Sequence, residues 1–120
     1  MGIDVYMRWN DQTDDEKEAQ YTGYSTVHGH VGYLREAYHG EPYATMVLLP
    51  EAFEAGSSEC RAPATTLRER LPATLAACAV RERDLYDSDP TPVQRSFEQF
   101  VELYERLEHE GRHPYAYVSW

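Results

Sequence analysis

Residues 3–9 read Ile-Asp-Val-Tyr-Met-Arg-Trp, and two sets of side chains alternate strictly along them. Because successive side chains of a β-strand point to opposite faces, this alternation predicts a half-buried strand. One face would carry the apolar side chains of Ile3, Val5, Met7 and Trp9, and the other face Asp4, Tyr6 and Arg8. A strand with one apolar face has to pack that face against other elements, so the rest of the chain must supply them.

The other end of the chain predicts a long amphipathic helix followed by another strand. Thr91 is suited to cap a helix over residues 92–110, with Pro92 at its first position and Gly111 just after its end. The side chains expected to enter the core are Val93, Phe97, Phe100, Tyr104 and Leu107, which recur at steps of 4, 3, 4 and 3 residues. Residues 114–120, Pro-Tyr-Ala-Tyr-Val-Ser-Trp, predict a strand that pairs with the first one in the centre of a sheet.

The segment between residues 10 and 50 predicts two short helices and one strand. Thr13 and Glu16 form a capping box before a helix over residues 14–20. Apolar residues at helical spacing predict a second helix over residues 30–39. Residues 43–49 are rich in strand-forming side chains and predict a strand.

The segment from residue 54 onward predicts a polar loop and then a helix. Residues 54–63 contain glycine and serine and predict the loop. A capping box at Thr66 and Glu69 begins the helix, and Pro72 either kinks it or starts a second helix. The whole pattern predicts a single α+β domain over residues 1–120, in which a small sheet contains the N- and C-terminal strands and the helices pack on one face.

The chain is acidic, with 11 Lys and Arg residues against 21 Asp and Glu residues and a net charge of -10 over 120 residues. Such a charge repels nucleic-acid phosphates and anionic membranes, so neither is expected as a partner. The sequence shows no signal peptide and no apolar run of about 18 residues, which favours the cytoplasm. In that compartment Cys60, in the predicted loop, and Cys78, in the predicted helix, are expected to be free thiols.

Residues 21–43 concentrate histidine, glycine and tyrosine, with three of the five histidines and five of the ten tyrosines. These side chains offer proton exchange near neutral pH and flat amphipathic contact surface. On a helix over residues 30–39, the stem of Arg35 would lie beside Val31 and Leu34 while its guanidinium holds a carboxylate or phosphate. The candidate ligand-binding residues are Tyr24, His28, His30, Tyr33, Arg35 and His39.

A metal site is the alternative use of the same segment. His28 and His30 share one face only if the backbone is extended, and Glu36 and His39 would then complete a set of zinc ligands. Gly29 favours a turn, which would splay the two imidazoles. The sequence therefore predicts no metal and no cofactor.

The opening residues Met1-Gly2-Ile3-Asp4-Val5-Tyr6 resemble those of several uncharacterised bacterial and phage proteins. Those proteins also begin with Met-Gly, an apolar residue, Asp, another apolar residue and Tyr. The resemblance implies a bacterial family with no assigned activity, and it transfers no catalytic residue to this chain.

Two classes of function compete at this point. The first hypothesis is a small, soluble, acidic binding or interaction protein that forms a homodimer or caps a basic protein partner. The second is a small enzyme, or a metal-binding protein, that binds a small molecule with His28, His30 or His39 together with Arg35 and Glu36.

Overall fold

Nine helices and strands follow one another in the part of the chain that the computed structural model describes, residues 2–21, 31–38, 40–54 and 56–120. They are β1 (Gly2–Arg8), α1 (Asp14–Tyr21), β2 (Tyr33–Ala37), α2 (Ala44–Leu48), a 3-10 helix (Pro50–Phe53), β3 (Glu59–Cys60), α3 (Ala64–Leu85), α4 (Thr91–His109) and β4 (Tyr115–Ser119). Helices and strands are mixed along the chain, and the fold belongs to the α+β class, as predicted.

The strands form one antiparallel sheet of four in the order β2-β1-β4-β3. The two terminal strands therefore lie side by side in its centre, with Val5 opposite Val118, which confirms the predicted pairing. β2 extends the sheet beyond β1, and the short β3 extends it beyond β4. Both central strands have a neighbour on each side, and on the β3 side of β4 the paired residues are Ala116 and Tyr117.

One hydrophobic core joins the apolar side of the sheet to the helices. Ile3, Val5 and Met7 of β1 are completely buried, and so is Phe100 of α4. α4 turns the predicted side chains inward: Phe97, Phe100, Tyr104 and Leu107 are buried, and Val93 packs partly buried against them. The helical period of 3.6 residues places these positions on one stripe, and the prediction for this helix is confirmed.

α1 is attached to the sheet through one buried amide side chain. At its start, Thr13 Oγ1 accepts a 3.1 Å hydrogen bond from the Glu16 amide, and Glu16 Oε1 accepts one of 2.9 Å from the Thr13 amide, which confirms the capping box. Near its end, the buried Gln20 Nε2 donates to the carbonyl oxygens of Met7 at 2.9 Å and Val31 at 2.8 Å. These bonds position the end of α1 beside β1.

The predictions for residues 30–39 and 43–49 are wrong in their described parts, because the secondary structure is the reverse of the prediction. Tyr33–Ala37 forms strand β2 rather than a helix, and residues 44–48 form helix α2 rather than a strand. Along β2 the burial alternates with a period of two, with Leu34 and Glu36 buried and Arg35 exposed. Tertiary contacts therefore override the local propensity.

The buried carboxylate of Glu36 explains why α2 begins where it does. Its Oε2 accepts a 2.8 Å hydrogen bond from the Ala44 amide, and its Oε1 accepts bonds from the Thr45 amide at 3.1 Å and the Thr45 hydroxyl at 2.6 Å. The first amides of a helix have no partner within the helix, and a carboxylate from β2 satisfies two of them here.

α3 is a single helix that continues through Pro72, so this proline does not start a second helix. It begins at Ala64, whose amide donates to Glu108 Oε2 at 2.8 Å. Thr66 therefore lies inside the first turn, and the predicted capping box at Thr66 and Glu69 is wrong. No helix in the described ranges is both long and apolar enough to cross a membrane.

The structure also differs from the prediction at the predicted loop and at the start of α4. Residues 54–63 contain strand β3, in which Cys60 is fully buried rather than part of a polar loop. Thr91 is the first residue of α4 and not its cap, because Asp89 Oδ1 accepts hydrogen bonds from the Thr91 amide at 3.0 Å and the Thr91 hydroxyl at 2.7 Å.

Candidate functional site

The side of the sheet opposite the core carries tyrosines, arginines and two carboxylates. The antiparallel register aligns the outward side chains of the strands in rows across the sheet. We call this surface the tyrosine face; its members are Asp4, Tyr6, Arg8, Tyr33, Arg35, Glu59, Arg61, Tyr115, Tyr117 and Ser119, together with Tyr21 at the end of α1. Among the described residues, α2, α3 and α4 pack on the other side of the sheet.

Tyr6 lies at the centre of a continuous patch of aromatic rings. Its ring centroid is 5.4 Å from that of Tyr33 on β2, 6.5 Å from that of Tyr117 on β4 and 5.4 Å from that of Tyr21. Tyr21 and Tyr117 remain 66% and 41% exposed. Aromatic neighbours on adjacent strands stabilise a sheet, but exposed rings in mutual contact also form a broad amphipathic surface.

Arg8 is held against this patch by contacts with its neighbours. Its Cζ lies 5.3 Å from the ring centroid of Tyr6 and 5.8 Å from that of Tyr21. One guanidinium nitrogen donates to Gln20 Oε1 at 2.5 Å, and the other to the Tyr21 hydroxyl at 3.2 Å. No carboxylate of a described residue lies within ion-pair distance of Arg8, so its positive charge is oriented on the face without an acidic partner.

Asp4 connects two of the sequence-predicted residues at one corner of the face. Its Oδ1 accepts hydrogen bonds from the Tyr33 hydroxyl at 2.6 Å and from Arg35 Nη1 at 2.7 Å. Burial, together with the hydrogen bond to Asp4, raises the pKa of Tyr33 to about 12. Burial also raises the pKa of Tyr6. Both phenols stay protonated near neutral pH, so this patch is suited to contact and not to proton transfer.

The opposite corner of the face holds a stacked and ion-paired arginine. The Arg61 Cζ lies 3.9 Å from the ring centroid of Tyr115, and Arg61 Nη2 lies 2.9 Å from Glu59 Oε1. Two of the three arginines on the face therefore have a carboxylate partner on the same face, Asp4 for Arg35 and Glu59 for Arg61.

The structure describes two of the six sequence-predicted site residues. Tyr33 and Arg35 both lie on β2 and share Asp4. The other four, Tyr24, His28, His30 and His39, lie outside the described residues, so a joint site made by all six stays a prediction.

The predicted environment of Arg35 is wrong, although the residue does lie on the candidate surface. The guanidinium was expected on a helix beside Val31 and Leu34, but on β2 its side chain points away from the buried Leu34. Its ion partner is Asp4, opposite it on β1, and not the neighbouring Glu36.

Sequence reasoning did not assign a function to Tyr6, Arg8, Tyr21 or Tyr117. The alternation along residues 3–9 did place Tyr6 and Arg8 on the outward side of the first strand. The available signal was that this outward side carries an aromatic ring and a guanidinium rather than small polar groups.

A second cluster of charge is buried beneath the edge of the sheet. Arg81 of α3 pairs with Glu36 at 3.1 Å, and both side chains are almost fully buried. Arg81 also donates to the carbonyl oxygens of Ala37 at 2.8 Å, Pro42 at 3.2 Å and Gly40. These bonds attach the segment after β2 to α3, which is a structural role.

A cavity of about 190 Å³ adjoins this ion pair. It is lined by Arg35, Glu36, Ala37, Cys78, Arg81, Glu82, Tyr86, Val93 and Phe97. Because Glu36 and Arg81 already hydrogen-bond to protein groups, this cavity offers a ligand few additional polar contacts.

The two cysteines are free, buried and electrostatically unsuited to be nucleophiles. Cys60 Sγ donates to Glu51 Oε1 at 3.4 Å, and Arg70 pairs with the same carboxylate at 2.8 and 2.7 Å. Burial raises the pKa of Cys60 to about 11 and that of Cys78 to about 12. Since the thiolate is the reactive form, neither side chain is activated near neutral pH.

We expect both thiols to react with an aromatic disulfide reagent only slowly at pH 8 in the folded protein. The pKa of Cys60, raised by burial from 9.0 to about 11, lowers its thiolate fraction at pH 8 by roughly a hundredfold. Unfolding without a reductant should release two reactive thiols per chain. The variants Cys60→Ala and Cys78→Ala would show which thiol is responsible for each part of the reaction. Finding no reactive thiol in the unfolded monomer would contradict the prediction that both cysteines are free.

Within the described ranges, no group of three or more His, Cys, Asp or Glu side chains is placed to hold a metal ion. The chain matches no protein-family model, no curated protein and no solved structure.

Proposed function

We propose that this chain is a non-catalytic interaction protein of a bacterial cytoplasm, and that the tyrosine face is the surface on which another protein docks. The observation that carries this proposal is the patch of contacting rings around Tyr6, with the guanidinium of Arg8 held over two of them.

The composition of the face is that of a protein interface. Tyrosine and arginine are enriched in interface cores and among the residues whose truncation costs the most binding energy. A tyrosine loses few rotamers when a partner orders it, and its ring offers both apolar contact and a hydroxyl. The exposed Tyr21 and Tyr117 supply such contacts at two sides of the central Tyr6.

The charge around the face favours a protein over a nucleic acid. The face carries three arginines and two carboxylates, a net charge of +1, so the remainder of a chain with a total of -10 carries -11. Two of those arginines are already neutralised by Asp4 and Glu59. A phosphate backbone would be repelled by the acidic surroundings, whereas a protein with an aromatic or basic contact surface would not.

The described residues give the enzyme hypothesis little support. The phenols of Tyr6 and Tyr33 and both thiols have raised pKa values, so none is a ready base or nucleophile near neutral pH. A small-molecule site using the histidines of residues 21–43 stays a prediction for residues outside the described ranges.

Photo-crosslinking tests the proposed docking surface in the cells that produce the protein. p-Benzoylphenylalanine at position 117, on the tyrosine face, should give a discrete crosslinked adduct. The same residue at position 80 is the control, because Val80 is 42% exposed on α3, which packs on the other side of the sheet. An adduct from position 80 alone, or none from position 117, would refute the proposed surface.

A further inference from the structure

We infer that the occupant of the tyrosine face is a second copy of this chain, in a symmetric dimer whose two sheets stack face to face. This inference rests on the proposed function, because it uses the same surface. It adds the identity of the partner and the arrangement of the assembly.

The distribution of charge favours this arrangement over any other contact between two copies. Each chain carries -11 outside the tyrosine face, so contacts through other surfaces bring two acidic regions together. On α4 alone, Glu98 and Glu102 are exposed. Stacked sheets lie about 10 Å apart, and the layer that α2, α3 and α4 form in each chain then lies on the far side of its own sheet. The two layers are separated by more than about 20 Å, which exceeds two Debye lengths at physiological salt.

The tyrosine face also carries two groups that can contact each other across a two-fold axis. In a symmetric dimer the same patch meets itself, so it must present complementary groups. Arg8 offers a guanidinium that has no acidic partner among the described residues, and Tyr117 offers an exposed ring. A guanidinium over an aromatic ring is attractive, and a two-fold axis would form each such contact twice.

The size of the face sets the expected strength of the dimer. β1 has seven residues, which at about 3.4 Å each give a length of about 24 Å. Four strands about 4.8 Å apart give a width of about 19 Å. Because β2 and β4 have only five residues each and β3 only two, the face is smaller than this outline. Each partner should therefore bury less than the about 800 Å² of a standard interface. We therefore expect a reversible dimer with a dissociation constant in the micromolar range or weaker.

Sedimentation velocity from about 1 µM to about 1 mM tests the inference on the full chain. The wild-type protein should shift from monomer to dimer within this range. Tyr117→Ala should weaken the association at least about tenfold, since a two-fold interface loses the ring twice. Val80→Ala, at an exposed position of α3, is the control, and it should associate like the wild type. Thermal melts of both variants exclude unfolding as the cause of a change.

Salt provides a second and independent readout. Two chains of net charge -10 repel each other, so raising salt from about 50 mM to about 500 mM should strengthen the self-association. A dimer that weakens strongly with salt would contradict the proposed arrangement, because it would depend on exposed ion pairs.

The outcomes separate this inference from the proposed function. A wild-type protein that stays monomeric throughout, or a dimer that Tyr117→Ala leaves unchanged, overturns the inference. If position 117 then still crosslinks in cells to a chain of a different mass, the face serves a different protein and the proposed function stands. An adduct of twice the monomer mass supports both.

Discussion

Replacing Phe100 with alanine should lower the free energy of unfolding by about 3–5 kcal/mol. The Phe100 side chain of α4 is fully buried in the hydrophobic core. Truncation removes the transfer free energy of the ring and leaves a cavity that its rigid neighbours fill only in part. For a chain of this size the melting temperature should fall by roughly 10–25 °C, and denaturant and thermal unfolding would measure both quantities.

Two variants of α4 show whether burial is the cause. Phe100→Leu keeps much of the apolar volume and should cost clearly less than the alanine variant. Glu102→Ala changes an exposed position on the same helix and should alter the stability by no more than about 0.5 kcal/mol. An unchanged melting temperature in Phe100→Ala would show that this face of α4 does not enter the core.

The elements that the sequence predicts correctly are those whose pattern is complete within the element. Along residues 3–9 every second side chain is apolar, and this pattern predicts a strand and no other element. Along α4 the apolar side chains step by 4 and 3 residues with proline at the start. In both cases the local propensity and the buried face agree, so tertiary contacts had nothing to override.

β2 and α2 were mispredicted because their stabilising partners are distant in sequence. An inward-facing Glu36 breaks the apolar alternation that identifies a strand. Its burial is made favourable by Arg81 of α3 and by the amides and the Thr45 hydroxyl of α2. α2 has five residues, too few for a helical repeat to be visible. Neither feature is encoded in a local window of sequence.

The candidate surface was predictable only in part, and for a similar reason. The alternation along β1 identified Tyr6 and Arg8 as outward-facing. Their position beside Tyr33 and Tyr117 depends on the register of two other strands. The register of paired strands is set by the burial of their inward faces and not by their outward residues. The patch of rings around Tyr6 therefore became apparent only in the folded sheet.

Replacing Arg81 with methionine should lower the free energy of unfolding by about 3–5 kcal/mol, because it leaves the Glu36 carboxylate buried without its counter-charge. The two side chains are almost completely buried and lie 3.1 Å apart. Methionine preserves most of the apolar stem of Arg81 but removes its hydrogen bonds to the segment after β2. Denaturant-induced unfolding would measure this loss of stability, provided that the free energy of unfolding depends equally on denaturant concentration in the variant and the wild type.

The matched control is Arg68→Met on the same helix, and the decisive test is a double mutant. Arg68 pairs with Glu105 where both side chains are exposed, so its loss should cost only about 0–1 kcal/mol. Adding Glu36→Gln to Arg81→Met removes the uncompensated charge, so the double variant should be less destabilised than the sum of the two single variants. A coupling of about 0.5–3 kcal/mol is expected for residues in direct contact. Strict additivity, or equal losses for Arg68→Met and Arg81→Met, would show that the buried pair does not stabilise the junction of β2, α2 and α3.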